Sequence, residues 1–282
     1  MIAVVSGLAP TDVARMLAAH GVRPSRALGQ NFLSDANTAR RIARLAGIGP
    51  GDRVVEIGPG LGALTVALVA SGAEITTVEL DRHLLAVLAE TVEPLGVRVV
   101  HGDALRVRWA DLLGGRGPEV VVGNLPYNVA VPIILRVLDE APSVARLLVM
   151  MQREVADRLV ASPGTKSYGS VTVHVRYWAE ATMVGRVPPS VFVPRPKVES
   201  ALVSVVRRAA PAVDPATVAL TRLMAVVRAG FAQRRKMLRS ALAGVVDEQA
   251  YQATGVSSAA RAETLDVAEW GKLAAWTMRT SP

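Results

Sequence analysis

Four apolar runs in the first half of the chain each end on a glycine or a polar side chain, and this repetition constrains the fold more than any other feature. Arg53-Val54-Val55-Glu56-Ile57 runs into Gly58-Pro59-Gly60-Leu61-Gly62, and Glu74 to Val78 ends in Glu79-Leu80-Asp81. Val97 to Val100 ends at Gly102-Asp103-Ala104, and Val120-Val121-Val122 leads into Asn124-Leu125-Pro126-Tyr127. Short apolar runs bounded by turn residues and separated by helical stretches read as strands buried on both faces, which means a parallel sheet. A helical pattern opens at Leu64 and stops near Gly72, a residue suited to ending it. The fold class is therefore α/β with a Rossmann-like sheet, whose ligands bind beyond the carboxyl ends of the strands.

The last of these strand ends carries the most specific chemistry. Asn is poor in a strand interior and Pro cannot donate to a ladder. The exocyclic amine of a nucleobase is a weak nucleophile, because its lone pair is conjugated into the ring. Two acceptors, the Asn124 side-chain oxygen and the carbonyl of Leu125 or Pro126, could hold that amine in a nucleophilic geometry. Tyr127 could stack on a base drawn out of its helix, at roughly 1–3 kcal/mol per base. A type I turn with Asn first and Pro second accounts for the same residues without any ligand, and the segment alone does not decide between the two.

The glycine turn and Glu79, about 20 residues further on, have the spacing at which a carboxylate meets a ribose diol. A nicotinamide dinucleotide would suit that much equally well. Three details favour another cofactor. The glycines follow G-x-G-x-G rather than G-x-G-x-x-G. Glu56, just ahead of them, would repel a pyrophosphate but suit a cationic amino or sulfonium group. Asp103 could accept from an adenine amine. An adenosine-bearing, positively charged cofactor lying across the strand ends fits this row, and S-adenosylmethionine fits best.

With these residues in place, the chain resembles the small-subunit (KsgA-type) ribosomal RNA adenine dimethyltransferases. The resemblance runs from about Arg26 to the C-terminus. It includes Leu28-Gly29-Gln30-Asn31-Phe32-Leu33, the four strand ends, Gln152-Arg153-Glu154-Val155-Ala156, Phe192-Val193-Pro194-Arg195-Pro196-Lys197-Val198-Glu199-Ser200-Ala201 and Phe231-Ala232-Gln233-Arg234-Arg235-Lys236. Val129-Ala130-Val131 and Gly169-Ser170-Val171-Thr172-Val173 depart conservatively from the family's usual pattern. The resemblance implies that Asn31, Leu33, Gly58, Glu79, Asp103 and Asn124 line the S-adenosylmethionine site. Gln30, Gly60, Leu80 and Ala104, from the same motifs, join them as candidates. It also implies that Asn124, Tyr127 and Phe192 handle the target adenine, with Leu125 and Pro126 between them. The expected reaction is direct transfer, the amine lone pair attacking the sulfonium methyl, on small-subunit 16S RNA or a pre-ribosomal small subunit. A large-subunit RNA methyltransferase conferring antibiotic resistance and a mainly non-catalytic assembly factor remain open.

Composition bounds the rest. With 51% hydrophobic and only 4% aromatic residues, Ala, Val and Leu must build the core. There is no cysteine, which removes disulfides and thiolate metal sites, and the four histidines are scattered, so no metal site is expected. No apolar stretch reaches membrane-spanning length and no signal peptide is visible, so the expectation is a cytoplasmic monomer without membrane association. The net charge is +8. Between Arg207 and Arg239 the bases Arg207, Arg208, Arg222, Arg228, Arg234, Arg235, Lys236 and Arg239 face the single acid Asp214, as on a phosphate-binding face. Arg195, Lys197, Arg222, Arg234, Arg235 and Lys236 are the candidate RNA contacts.

The expected organisation is an N-terminal extension (1–25) with a helix from Asp12 to His20, a methyltransferase domain (26–210) and a helical RNA-binding domain (211–282). Further strands are expected at Leu147 to Met151, Ala181 to Val187 and Ser200 to Val206, with Pro188-Pro189 and Pro194-Arg195-Pro196 stiffening the loop around Phe192. That gives seven strands, the last antiparallel as the resemblance implies. Helices are expected at Ala216 to Arg228 and Ala232 to Ala243. A final helix starts at Asp266, with Glu269 completing a capping box and Leu265 against Trp270 as a staple.

Overall fold

A computed structural model describes residues 9–113 and 119–279. The chain divides into two units: the first holds the residues up to Ala156 together with Thr182–Val206, the second Asp157–Ala181 and the residues from Arg207 onward. The expected single cut after residue 210 is replaced by this interleaved division. Tyr168, Val173 and Tyr177 group with the C-terminal helices because they are buried in one cluster with Leu223, Val227 and Trp270.

In the first unit, β2 (Arg53–Ile57), β3 (Glu74–Glu79), β4 (Arg98–His101), β5 (Glu119–Asn124) and β6 (Val144–Gln152) pair in parallel. With β7 (Ala179–Val187) and β9 (Ser200–Arg207) they form a seven-stranded sheet of order β4-β3-β2-β5-β6-β9-β7. β9 runs antiparallel to β6, as expected. Sequence order reverses between β2 and β5, and crevices open at such switch points. Val54, Ile75, Val120, Val122 and Leu148 are buried in one cluster, and the alternating Val55, Val121, Leu147 and Val149 are buried as well, which is why these strands read as unbroken apolar runs. Each such side chain contributes roughly 1.5–3 kcal/mol by leaving water. A second sheet was not expected: β1 (Phe32–Leu33) pairs antiparallel with β8 (Phe192–Val193). Two-residue strands have no periodicity to read.

Helices α1 (Pro10–Ala19), α2 (Ala36–Ala46), α3 (Ala63–Val69), α4 (Arg82–Thr91), α5 (Trp109–Leu112) and α6 (Ala130–Glu140) belong to the same unit. Asp35 and Asp81 cap α2 and α4 through the N–H groups of Thr38 and His83. α7 (Arg153–Val160) follows β6 directly.

The second unit contains α8 (Ser170–Trp178), α9 (Leu220–Ala232), α10 (Leu238–Ala241), α11 (Glu248–Thr254) and α12 (Val267–Arg279). The capping box of α12 forms as expected: Glu269 N–H donates to the Asp266 carboxylate at 2.8 Å and Asp266 N–H to the Glu269 carboxylate at 2.9 Å. Leu265 and Trp270 lie in one buried cluster. The expected helix from Ala232 to Ala243 does not form as such: Ala232 ends α9, and beyond it only Leu238–Ala241 of this stretch is helical. Its backbone is drawn elsewhere, with Leu238 N–H donating to the Ala260 carbonyl and Met237 bridging Arg261. No helix of the described residues is long and apolar enough to cross a membrane.

Candidate active site

The carboxyl ends of β2, β3, β4 and β5 open into one cleft, roofed by residues 28–33. Its empty space, open mouth included, is about 1180 Å³. Gln30, Asn31, Leu33, Gly58, Gly60, Glu79, Leu80, Asp103, Ala104 and Asn124-Leu125-Pro126-Tyr127 all line it. These residues lie far apart in sequence, and the parallel register brings them together. Gly60 has φ 59°, and a Cβ there would come within 3.0 Å of the Phe32 ring, so only glycine fits under the roof.

Glu79 ends β3 with a buried carboxylate. Its Oε1 accepts from Asp81 N–H at 2.8 Å and its Oε2 from Gly60 N–H at 3.3 Å. Burial raises its pKa, and these two bonds oppose the rise. Each oxygen keeps lone pairs for a further donor. Asp103 accepts from Leu105 N–H at 2.8 Å through Oδ1, while its Oδ2 meets Arg106 only at 3.6 Å. Leu80 is 49% exposed, an apolar wall on the rim of the cleft.

Glu56 is 1% exposed, also lines the cleft, and its Oε2 has no hydrogen-bond partner among the described residues. Burial, reinforced by the neighbouring Glu79 carboxylate, pushes its pKa up to about 8. A buried carboxyl with an unused oxygen is costly unless a donor or a positive charge arrives.

At the end of β5, the Asn124 Nδ2 donates to the Asn31 carbonyl at 3.0 Å. That bond fixes the orientation of the amide and leaves Oδ1 as an acceptor with no partner among the described residues. The Pro126 carbonyl already accepts from the N–H groups of Val129 and Ala130, at 3.1 and 3.0 Å, as α6 begins. Of the two backbone acceptors considered from the sequence, Leu125 is therefore the one left. The half-buried Tyr127 is tethered by a 3.0 Å hydrogen bond between its hydroxyl and Ser200 Oγ, and burial raises its pKa.

Three expectations need correction. Phe192 does not line the cleft: paired with Leu33 across β1 and β8, it is 2% exposed inside the core, so its ring has no free face for a base. Arg222 turns inward, donating from Nε to Thr277 Oγ1 at 2.9 Å. Arg234 pairs with Glu263 at 2.7 Å and donates to the carbonyls of Thr165 and Lys166 at 3.3 and 2.6 Å, which makes it a tether within the second unit. Arg195, Lys197, Arg235 and Lys236 are exposed. Sequence reasoning missed Phe32 as part of the roof and the Asn31 carbonyl as the partner of Asn124. The first could have been read from its place between Asn31 and Leu33; the second is a backbone atom, which leaves no residue signature.

The chain is 48% identical over 278 residues to the Ribosomal RNA small subunit methyltransferase A of Streptomyces coelicolor, covering 95% of this chain and 96% of that relative. It is 47% identical over 278 residues to the protein of the same name from Streptomyces avermitilis, covering 95% and 92%. Among solved structures it is similar to the 23S rRNA methyltransferase ErmE, with a TM-score of 0.69 at 28% identity over 86% of this chain and 98% of that one. It shares its fold with a dimethyladenosine transferase from Plasmodium falciparum, with a TM-score of 0.73 at 23% identity over 86% and 95%. The profile of the family described as Ribosomal RNA adenine dimethylase matches residues 22–278, and the chain belongs to that family of S-adenosylmethionine-dependent methyltransferases.

Proposed function

We propose that this protein methylates the N6 amine of adenosines in small-subunit ribosomal RNA, free or in a pre-ribosomal particle. The observation that carries the reading is how Asn124 is held. Its Nδ2 is committed to Asn31, so Oδ1 and the Leu125 carbonyl are two acceptors at one strand end, matched to the two N–H bonds of an exocyclic amine. Accepting a hydrogen bond from each N–H biases the nitrogen lone pair out of conjugation, and acceptors fixed in advance stabilise the positive charge that builds on the nitrogen. Tyr127 offers a ring face to stack on the base, and its tether to Ser200 keeps that face from swinging.

S-adenosylmethionine, when bound, supplies an electrophilic methyl group on a positively charged sulfur. The residues fit it. Glu79 retains lone pairs for a ribose diol, Asp103 can accept from an adenine amine, and Leu80 can cover the adenine ring. The buried Glu56 carboxyl suits the cationic end, because a positive neighbour favours its ionised form. The exposed Arg195, Lys197, Arg235 and Lys236 suit RNA phosphates. The small subunit is favoured because the relatives at 47% and 48% identity carry that name, whereas the large-subunit enzyme ErmE is only 28% identical.

The test is mass spectrometry of nucleosides after incubating the protein and labelled cofactor with small- or large-subunit RNA or particles. Dimethylated adenosine is expected in the small-subunit samples, and label confined to the large-subunit samples would overturn the reading. Asn124→Ala should lower kcat far more than it weakens RNA binding, because the amide acts mainly in the transition state. Wild-type turnover by that variant would remove the amide from the mechanism.

A further inference from the structure

Gln30 lines the cleft, yet its side chain is already engaged within the protein at both ends. Its Nε2 donates to Asp81 Oδ2 at 2.8 Å and its Oε1 accepts from Ser25 N–H at 2.8 Å. Its backbone N–H also donates to the Ser25 carbonyl, at 3.1 Å. A side chain so committed is poorly placed to serve as a main cofactor ligand. The next residue, Asn31, carries the carbonyl that accepts from Asn124 Nδ2.

We propose that Gln30 is a positioning residue: it clamps the strand-like roof so that the Asn31 carbonyl holds the Asn124 amide with Oδ1 turned toward the substrate amine. This rests on the role given to Asn124 above. The roof is fixed on either side of that carbonyl. On one side stands the Gln30 clamp. On the other, Phe32 is 5% exposed and pairs with Val193. Further upstream, Val13 and Leu17 of α1 and Val22 are buried with Phe32, Leu61 and Leu84, which gives the N-terminal helix a role as the anchor of the roof. The roof also lies directly on the acceptor segment. Gly29 has φ +64°, and a Cβ there would stand 3.1 Å from Pro126 Cβ.

The clamp links the two halves of the cleft. Asp81, which receives Gln30, caps α4 through His83 N–H and donates its own N–H to Glu79 Oε1. A continuous series of hydrogen bonds and one peptide link therefore runs from Glu79 through Asp81, Gln30 and Asn31 to Asn124. If Gln30 is lost, the Asn31 carbonyl can drift and the amide can rotate. Its NH₂ group, a donor, would then face the amine it should accept from.

A double-mutant cycle on single-turnover rates tests this, using Gln30→Ala, Asn124→Ala and the pair, with cofactor affinity by calorimetry and melting temperature alongside. Gln30→Ala should lower the rate by on the order of tenfold to a hundredfold, the scale of a misplaced reacting group. Cofactor affinity should stay within about twofold, and in the Asn124→Ala background the same change should cost no more than about twofold. A full loss from Gln30→Ala that persists without the Asn124 amide overturns the proposal, because Gln30 then acts elsewhere. Weakened cofactor binding at an unchanged rate also overturns it and makes Gln30 a ligand. An Asn124→Ala enzyme with the wild-type rate overturns the earlier reading of Asn124 and this proposal with it; the other two outcomes leave that reading standing.

Discussion

Replacing Glu56 by Gln should flatten the pH dependence of stability of the cofactor-free protein. The Glu56 carboxyl is 1% exposed, and burial together with the Glu79 charge moves its pKa from the ordinary 4.5 to about 8. The sign follows from proton counts. Between those two values the folded protein holds a proton that the unfolded chain has released, so raising the pH favours unfolding. The contribution is fully present below pH 4.5 and is lost as the pH passes about 8. One bound proton sets a maximal slope of about 1.4 kcal/mol per pH unit, or roughly 4–5 kcal/mol across the window. Gln resembles the protonated carboxyl in shape and polarity and cannot ionise, so the variant lacks this component while other titrations remain. Urea midpoints of the wild type and Glu56→Gln, followed by circular dichroism over about pH 5 to 8.5, give the comparison. The wild type should lose stability relative to the variant toward the alkaline end. Two curves that run parallel would show that Glu56 ionises freely in the fold, and the account of the cleft as a place held ready for positive charge would fail.

Glu79→Ala should weaken S-adenosylmethionine binding by about 1–3 kcal/mol, since a buried acceptor of the ribose diol is lost. RNA affinity should be unchanged, and calorimetry beside a gel-shift titration checks both. The basic cluster separates into two kinds of residue. Arg235→Gln with Lys236→Gln should make the log–log salt dependence of RNA affinity shallower by about 1.5, at roughly 0.7–0.9 per phosphate contact, with little change in Tm. Arg234→Gln should lower Tm through loss of the Glu263 pair and the two carbonyl contacts while leaving that slope alone. The reverse pattern would exchange the roles of tether and RNA contact.

Most of the cleft was legible because a parallel sheet puts its chemistry at strand ends. Buried parallel strands must be apolar throughout, so Val54-Val55, Ile75 and Val120-Val121-Val122 announce themselves. A polar residue at the end of such a run is there for the cleft rather than for the core. Glu79, Asp103 and Asn124 follow directly from that logic, and so does Glu56, a carboxylate inside a run that should have none. The helical caps were equally local: Asp266 and Glu269 need only three residues of separation to be read as a reciprocal pair.

What stayed hidden depends on contacts between distant segments. Phe192 looked available because it sits between prolines, but pairing with Leu33, 159 residues away in sequence, folds its ring into the core. Arg234 carries the same charge as Arg235, and nothing in the run Arg234-Arg235-Lys236 tells which of them meets Glu263 and the carbonyls near Thr165. Backbone contacts of Met237 and Leu238 with Arg261 and Ala260 likewise hold residues 233–237 out of the helix that their propensity suggests. The orientation of Asn124 is the deepest case. Sequence specifies an amide at the end of β5, but whether oxygen or nitrogen faces the cleft is decided by a backbone carbonyl 93 positions upstream. Since an Asn side chain offers an acceptor and a donor of nearly equal shape, only a committed partner on one of them turns the residue into a defined acceptor. That partner lies on a segment whose own place is set by Gln30 and by the packing of Phe32, so the chemistry at the strand end is completed by the roof above it.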